Sequence, residues 1–332
     1  MAAVSADHIR PVISRAFDLN ASSYIPHDLH RTERIWPETN CYVDLWIELL
    51  HALRLDPIAC MAFTIAMDFE GDQWTFFKPS AADIHELFGI DIQELAIWRP
   101  LEIHLAEQVR RGRVPLVEVD AFHLPDTVGV SYQTEHTKTT IGVQAIDLEA
   151  RTLGYFHSSG YFELGKAEFN AMFDTDATAM APYTEIAKLD RIVRPRPSEL
   201  GRIAAKQLQH YVMRIPGENP VTKYRERYLS DVTWLALQNM SVFYKYAFAT
   251  LRQCGACAEL AATFLDWLPS AESDRTAAAV HFADIAAAAK AMQFKIARMM
   301  ATGKAADVAP LLDQMESSWD SAMGNLAASH AI

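Results

Sequence analysis

The sequence predicts an α+β domain followed by an all-helical one, and three observations carry that division. Up to about residue 165, short β-branched and aromatic runs alternate with helical patterns. Beyond it, apolar residues recur at helical spacing almost without interruption. Between the two, Pro182, Pro195 and Pro197 break the pattern and mark 174–197 as a linker, so residues 1–173 are expected as the α+β domain and 174–332 as the helical domain.

The first strongly patterned element is an amphipathic helix over 42–53. Trp46, Leu49, Leu50 and Leu53 fall at i, i+3, i+4 and i+7 of one face. Thr39 and Asn40 are both N-cap residues, and Pro37 blocks a backward extension. Cys41 is thereby expected in the first turn, where unpaired backbone N–H groups favour thiolate over thiol. Strands are expected at 62–69, 74–77, 115–119, 139–146 and 152–156. Helices follow at 198–215, 220–238, 242–252, 256–267, 271–300 and 308–328, separated by Gly, Pro or Asn-rich turns. Asp68, Glu70 and Asp72 flank Gly71 but lack the other ligands of a calcium loop, so a polar hairpin is expected there.

Composition narrows the classes. Half of the 332 residues are hydrophobic, 22% are charged and the formal net charge is -12, which suits a globular protein and argues against general affinity for nucleic acid or anionic membrane. Residues 1–19 lack the basic start and apolar run of a signal peptide, and no later stretch is long and apolar enough to span a bilayer, so a cytoplasmic location is expected. The four cysteines, Cys41, Cys60, Cys254 and Cys257, are too few and scattered for a disulfide framework. Cys254 and Cys257 form a CxxC, but inside an alanine-rich helical stretch and without a second ligand pair for zinc, so no metal is expected.

Order along the chain carries the chemistry. A helix headed by Cys41 is followed by a segment opened by His136, and the returning strand ends at His157, before Ser158. This order resembles that of the papain-like cysteine hydrolases and acyltransferases. There the nucleophile caps a helix, the base starts a strand, and a polar residue on the neighbouring strand orients the base. By that correspondence His136 takes the thiol proton and His157 fixes its orientation, with Ser158 and Asp147 as the substitutes for a position usually held by Asn or Asp. The Cys41 N–H is one oxyanion donor, and Asn40 is the nearest amide for a second, since no Gln stands upstream. The plainer alternatives are a buried, unreactive Cys41 and a strand-edge His136 bonded to a carbonyl.

Further stretches resemble a bacterial family of unknown function: Glu38 to Trp46, Asp68 to Lys78, Leu124-Pro-Asp-Thr127, His136 to Gly142 and Gly154 to Tyr161. Its members are typically encoded beside truncated, seryl-synthetase-like amino acid:carrier-protein ligases and a small carrier protein. More distantly the chain is similar to the butirosin-pathway acyltransferase. The resemblance implies an aminoacyl transferase in which Cys41 takes an amino acid from the phosphopantetheine thioester of a small acidic carrier protein and passes it to an amine. It implies no permanently bound cofactor and makes the ligase a candidate partner. Glu70, Asp72 and Gln73 are then candidates to receive the α-amino group. Arg110, Arg111 and Arg113, then Arg191, Arg194 and Arg196, then Lys223, Arg225 and Arg227 are candidates to dock the carrier. Two rivals stand beside this reading. One is a cysteine thioesterase or peptidase with the same residues, and the other is a non-catalytic carrier-binding module.

Overall fold

The computed structural model describes residues 14–174, 180–269 and 273–330. The expected start of a helix at 271, the opening of the expected leader-free stretch 1–19 and part of the expected linker lie outside these residues. The chain forms two compact units, one from the described residues up to 25 together with 90–192, the other from 26–89 together with 193 onward. A single division at residues 173 and 174 is thus corrected. The expected linker contains a strand, Thr184–Lys188, paired on both sides within one sheet, so the first unit closes only after it.

The sheet unit is built on one antiparallel sheet. In chain order its strands are β1 (Ser14–Arg15), β2 (Asp91–Glu94), β3 (Val114–Asp120), β4 (Lys138–Asp147), β5 (Thr152–His157), β6 (Gly160–Leu164) and β7 (Thr184–Lys188). They are arranged β2-β7-β3-β4-β5-β6, with β1 also paired to β4. The three strands expected at 115–119, 139–146 and 152–156 form its centre. The helices Leu101–Arg110 and Lys166–Phe173 supply Leu105, Val109 and Phe169 to a core completed by Val117, Ile141, Val143, Leu153 and Tyr155. Each such side chain contributes about 1.5–3 kcal/mol when fully withdrawn from water. A bulge in β4 between Val143 and Ala145 frees Gln144, which accepts a 2.6 Å hydrogen bond from the Tyr161 hydroxyl. That hydroxyl occupies the space a Cβ at Gly154 would fill, so glycine is required there.

The helical unit contains the Cys41–Ala52 helix as well as the C-terminal helices Pro197–Val212, Pro220–Leu235, Met240–Ala247, Gln253–Trp267, Ser273–Thr302 and Ala309–His330. The expectation that Cys41 belongs with the strands is therefore corrected. The expected strands at 62–69 and 74–77 are corrected too. Asp56 caps a 3-10 helix, Pro57–Ala66, with proline in its first turn, and only a bridge between Phe69 and Trp74 remains of the hairpin. The apolar run is buried on all sides, and an all-apolar stretch has no period to separate strand from helix.

The Cys41–Ala52 helix is not amphipathic in the expected sense, because Asp44 and Glu48 on its polar side are as buried as Trp46 and Leu49. His30, itself buried, bridges them: its Nδ1 bonds Glu48 and its Nε2 lies 3.3 Å from Asp44. Burial penalises the imidazolium, but the hydrogen bonds and charges of the two carboxylates outweigh it and raise the His30 pKa to about 9. A raised pKa means that the folded state holds the proton more tightly. The stabilisation is full below the unfolded value near 6.5 and fades as pH rises through about 9. His30→Ala removes the imidazolium from between two buried carboxylates and is expected to lower unfolding stability by roughly 3–5 kcal/mol at pH 6. In urea titrations the gap between wild type and variant should shrink from pH 6.5 to 9.5. A gap that widens with pH would refute the assignment.

Candidate functional site

The residues singled out by sequence fall in both units, and each unit arranges its own set. In the helical unit, Cys41 is the first residue of its helix, as expected, and is half-buried. Asn40 caps the helix by accepting from Val43 N–H at 3.0 Å. Its two amide hydrogens are spent on the Phe77 carbonyl at 2.9 Å and on Gln253 Oε1 at 3.3 Å. The Asn40 side chain thus has no hydrogen left for an oxyanion, and that assignment is corrected. It holds the helix start instead.

The segment before Cys41 is gripped from several sides. Asp44 accepts from Thr39 N–H at 2.9 Å and from Thr39 Oγ1 at 2.6 Å. Arg252 donates to the Thr39 carbonyl at 2.8 Å and pairs with Glu38 at 3.2 Å. Glu259 accepts from the N–H groups of Ile35 and Trp36. Arg252 closes a π-helical turn, Phe248–Arg252, of the kind that often marks functional sites, and Gln253 follows it directly. Gln253 is 2% exposed, and its Nε2 is buried without a hydrogen-bond partner. Sequence reasoning missed Arg252 and Gln253 because more than two hundred residues separate them from Cys41.

The other three cysteines are buried, and burial raises their thiol pKa values. The Cys254-Gly-Ala-Cys257 spacing has a packing cause. A Cβ at Gly255 would come within 2.5 Å of the Trp36 indole, so this helix face is kept small.

In the sheet unit, His136 lies two residues ahead of β4, exposed, with its ring stacked on Phe122 at 4.4 Å between centroids. Its Nδ1 is 2.5 Å from Asp120 Oδ2. Asp120 ends β3, opposite Lys138 of β4, and also accepts from the N–H groups of Phe122 and Thr137. Burial opposes its ionisation, yet these hydrogen bonds prevail and hold its carboxyl below the ordinary aspartate value. An aspartate–histidine pair oriented through Nδ1 leaves Nε2 as the working nitrogen of a general base.

His157 is not the orienter of His136, and that expectation is corrected. His157 is buried, with Nδ1 2.5 Å from Asp126 Oδ2 and Nε2 2.8 Å from Thr139 Oγ1, so both nitrogens are committed. Tyr155 donates to the other Asp126 oxygen at 2.5 Å, and its hydroxyl pKa is raised by burial and by that carboxylate. The Leu124-Pro-Asp-Thr127 and Gly154-Tyr-Phe-His157 stretches therefore meet in one buried network. Neither proposed substitute orients His136. Ser158 sits in the tight turn between β5 and β6 with φ of 45°, and Asp147, at the opposite end of β4, caps the turn at Glu149 and Ala150. Ten residues of strand separate that end from Lys138, about 30 Å at strand rise.

Glu70, Asp72 and Gln73 are exposed around Gly71, whose φ of 92° makes the turn, and Glu70 accepts from Thr75 Oγ1. They form the polar turn that closes the Phe69–Trp74 bridge. The basic clusters are largely neutralised within the chain. Arg110 and Arg111 pair with Glu107, Arg113 with Asp190, Lys223 with Asp68, Arg225 with Asp313 and Glu316, and Arg227 with Asp231.

Accessible thiol chemistry is thus confined to Cys41. Brief treatment of the native protein with iodoacetamide at pH 7.5 is expected to alkylate Cys41 alone, read by peptide mass spectrometry, with the other three labelled only in denaturant. Equal labelling of Cys60, Cys254 or Cys257 in the native state would contradict the burial described.

Comparison with known proteins places this arrangement in a family. A search of curated proteins finds no match. Among the described residues no helix is long and apolar enough to cross a membrane. The DUF1839 N-terminal domain matches residues 25–189 and the DUF1839 C-terminal domain matches 197–328, so the family boundary falls after β7. With both domains matched in sequence and most of its length covered, the chain belongs to the DUF1839 family.

Proposed function

We propose that this protein is a papain-like cysteine acyltransferase that takes an aminoacyl group from the phosphopantetheine thioester of a small carrier protein. The observation that carries the reading is Cys41, the one cysteine outside the core, at the first turn of a capped helix whose approach is gripped by Asp44, Arg252 and Glu259. An aspartate-held histidine at the head of a sheet strand supports the papain-like assignment.

In the proposed reaction the Cys41 sulfur attacks the thioester carbonyl, the C–S bond to pantetheine breaks, and the pantetheine thiolate leaves. His136, held by Asp120, takes the Cys41 proton and returns it to that thiolate. Exchange of one thioester for another is nearly isoenergetic, which suits sulfur better than a hydroxyl. An amine then attacks the acyl-enzyme, its nitrogen gives up a proton to His136, the C–S bond to Cys41 breaks as the amide forms, and the Cys41 thiolate recovers that proton. The Cys41 N–H is assigned to the acyl oxygen, and Gln253 Nε2, an unspent amide donor on the partner of Asn40, replaces Asn40 as the second donor. His157 holds the Asp126 loop to the sheet and is given no chemical step.

Mixing the protein with aminoacyl-loaded carrier protein is expected to add the mass of one aminoacyl residue in intact-protein mass spectrometry, with no addition in Cys41→Ala. Absence of any adduct, together with loss of loaded carrier that does not depend on Cys41, would sink the reading. Asp120→Asn is expected to slow acylation by on the order of 100-fold or more while leaving the fold intact, because the imidazole loses its orientation. His157→Ala should instead lower stability by roughly 1–3 kcal/mol, because one oxygen of the buried Asp126 loses its hydrogen-bond partner. If Asp120→Asn acylates at the wild-type rate, His136 is not the base.

A further inference from the structure

A cavity of about 440 Å3 lies wholly within the helical unit, at the far end of the Cys41–Ala52 helix. Arg54 and Arg194 line it together with the Trp267 indole, above an apolar floor that includes Phe88 and Leu200. Asp56 also lines it, but its carboxylate is engaged by Trp267 Nε1 at 2.8 Å and by Ile58 N–H. Pro197 and Ser198, the first residues of the Pro197–Val212 helix, open onto the same space, which adds the positive end of a sixteen-residue helix to the two guanidinium groups.

Arg54 stands where the backbone favours glycine. The helix ends in a Schellman motif, with Leu55 N–H on the Leu50 carbonyl and Arg54 N–H on the His51 carbonyl, both at 2.9 Å. Arg54 takes the left-handed position with φ of 58°. An arginine in that conformation is strained relative to glycine. No described residue is seen to pair with its guanidinium, unlike those of Arg225 and Arg227. Arg194 spends one donor on the Leu53 carbonyl at 3.3 Å, which ties it to the same helix end.

We propose that this cavity binds a phosphate ester with an organic body, its phosphate held by Arg54 and Arg194 and its body laid against Trp267 and the apolar floor. Two guanidinium forks and a helix amino terminus match a dianionic oxyacid, and the volume admits a molecule of nucleotide or phosphopantetheine size. The site stands apart from the acyl transfer proposed above. If its ligand is phosphopantetheine, however, the helix places the phosphate about 20 Å from Cys41 along thirteen residues of rise.

The test is isothermal titration calorimetry of the full chain with 4'-phosphopantetheine, adenosine 5'-phosphate and inorganic phosphate. At least one ester is expected to bind with unit stoichiometry and more tightly than inorganic phosphate. Arg54→Gly is expected to weaken it by on the order of tenfold or more. The same variant should raise the thermal midpoint of the free protein, since glycine suits the left-handed position, so loss of binding cannot be misfolding. Binding of the pantetheine ester alone would tie the site to the carrier arm, and binding of the adenosine ester alone would identify a nucleotide site. Failure of all three ligands to bind, or unchanged affinity in Arg54→Gly, overturns the proposal. Neither outcome depends on whether Cys41 is acylated.

Discussion

Two carboxylates buried on a central helix must be neutralised, and the solution found here fixes everything around Cys41. His30 reaches from the segment before the helix to both Asp44 and Glu48, and its raised pKa records how strongly they hold its proton. Asp44 also accepts from the Thr39 N–H and hydroxyl, so the charge that must be buried is also the clamp on the backbone just before the thiol. Removing one partner of such a cluster costs far more than a surface pair, because the remaining charge stays in a poorly solvating interior.

The two aspartate–histidine pairs of the sheet unit illustrate how burial divides labour. Both show a carboxylate oxygen 2.5 Å from Nδ1. His157 has its second nitrogen tied to Thr139 and lies inside, so it can only hold the Asp126 loop and Tyr155 in place. His136 is exposed, and Asp120 and the Phe122 ring set its orientation. The chemical equivalence of the pairs makes exposure the deciding difference.

The C-terminal helices are part of the unit that carries the thiol. Trp36 lies over Gly255, and Glu259 receives the neighbouring N–H groups. The π-helical turn at Phe248–Arg252 brings Arg252 and Gln253 to residues 38–40. The same helix that begins at Cys41 ends at Arg54, in the wall of the arginine-lined cavity.

Because caps and periodicity act within a few residues, local signals were enough for the helix start at Cys41, the three central strands, the turn at Gly71 and four of the six C-terminal helices, whereas the expected break between 242–252 and 256–267 is absent and the chain runs helically through the π turn Phe248–Arg252 into Gln253–Trp267. The sequence also pointed to His136. Its partner was out of reach, since pairing with Asp120 depends on the register of β3 against β4, which no local pattern carries. The buried strand Thr184–Lys188 is hidden among prolines, and a strand at 62–69 is expected in error because a fully buried apolar run has no polar face to give it a period. The apolar face Trp46, Leu49, Leu50 and Leu53 leaves Asp44 and Glu48 off it, and only tertiary packing buries them against His30. Which side chains are buried, and which distant ones they meet, is set by long-range contacts, and these decide which histidine is exposed and which thiol stays outside the core.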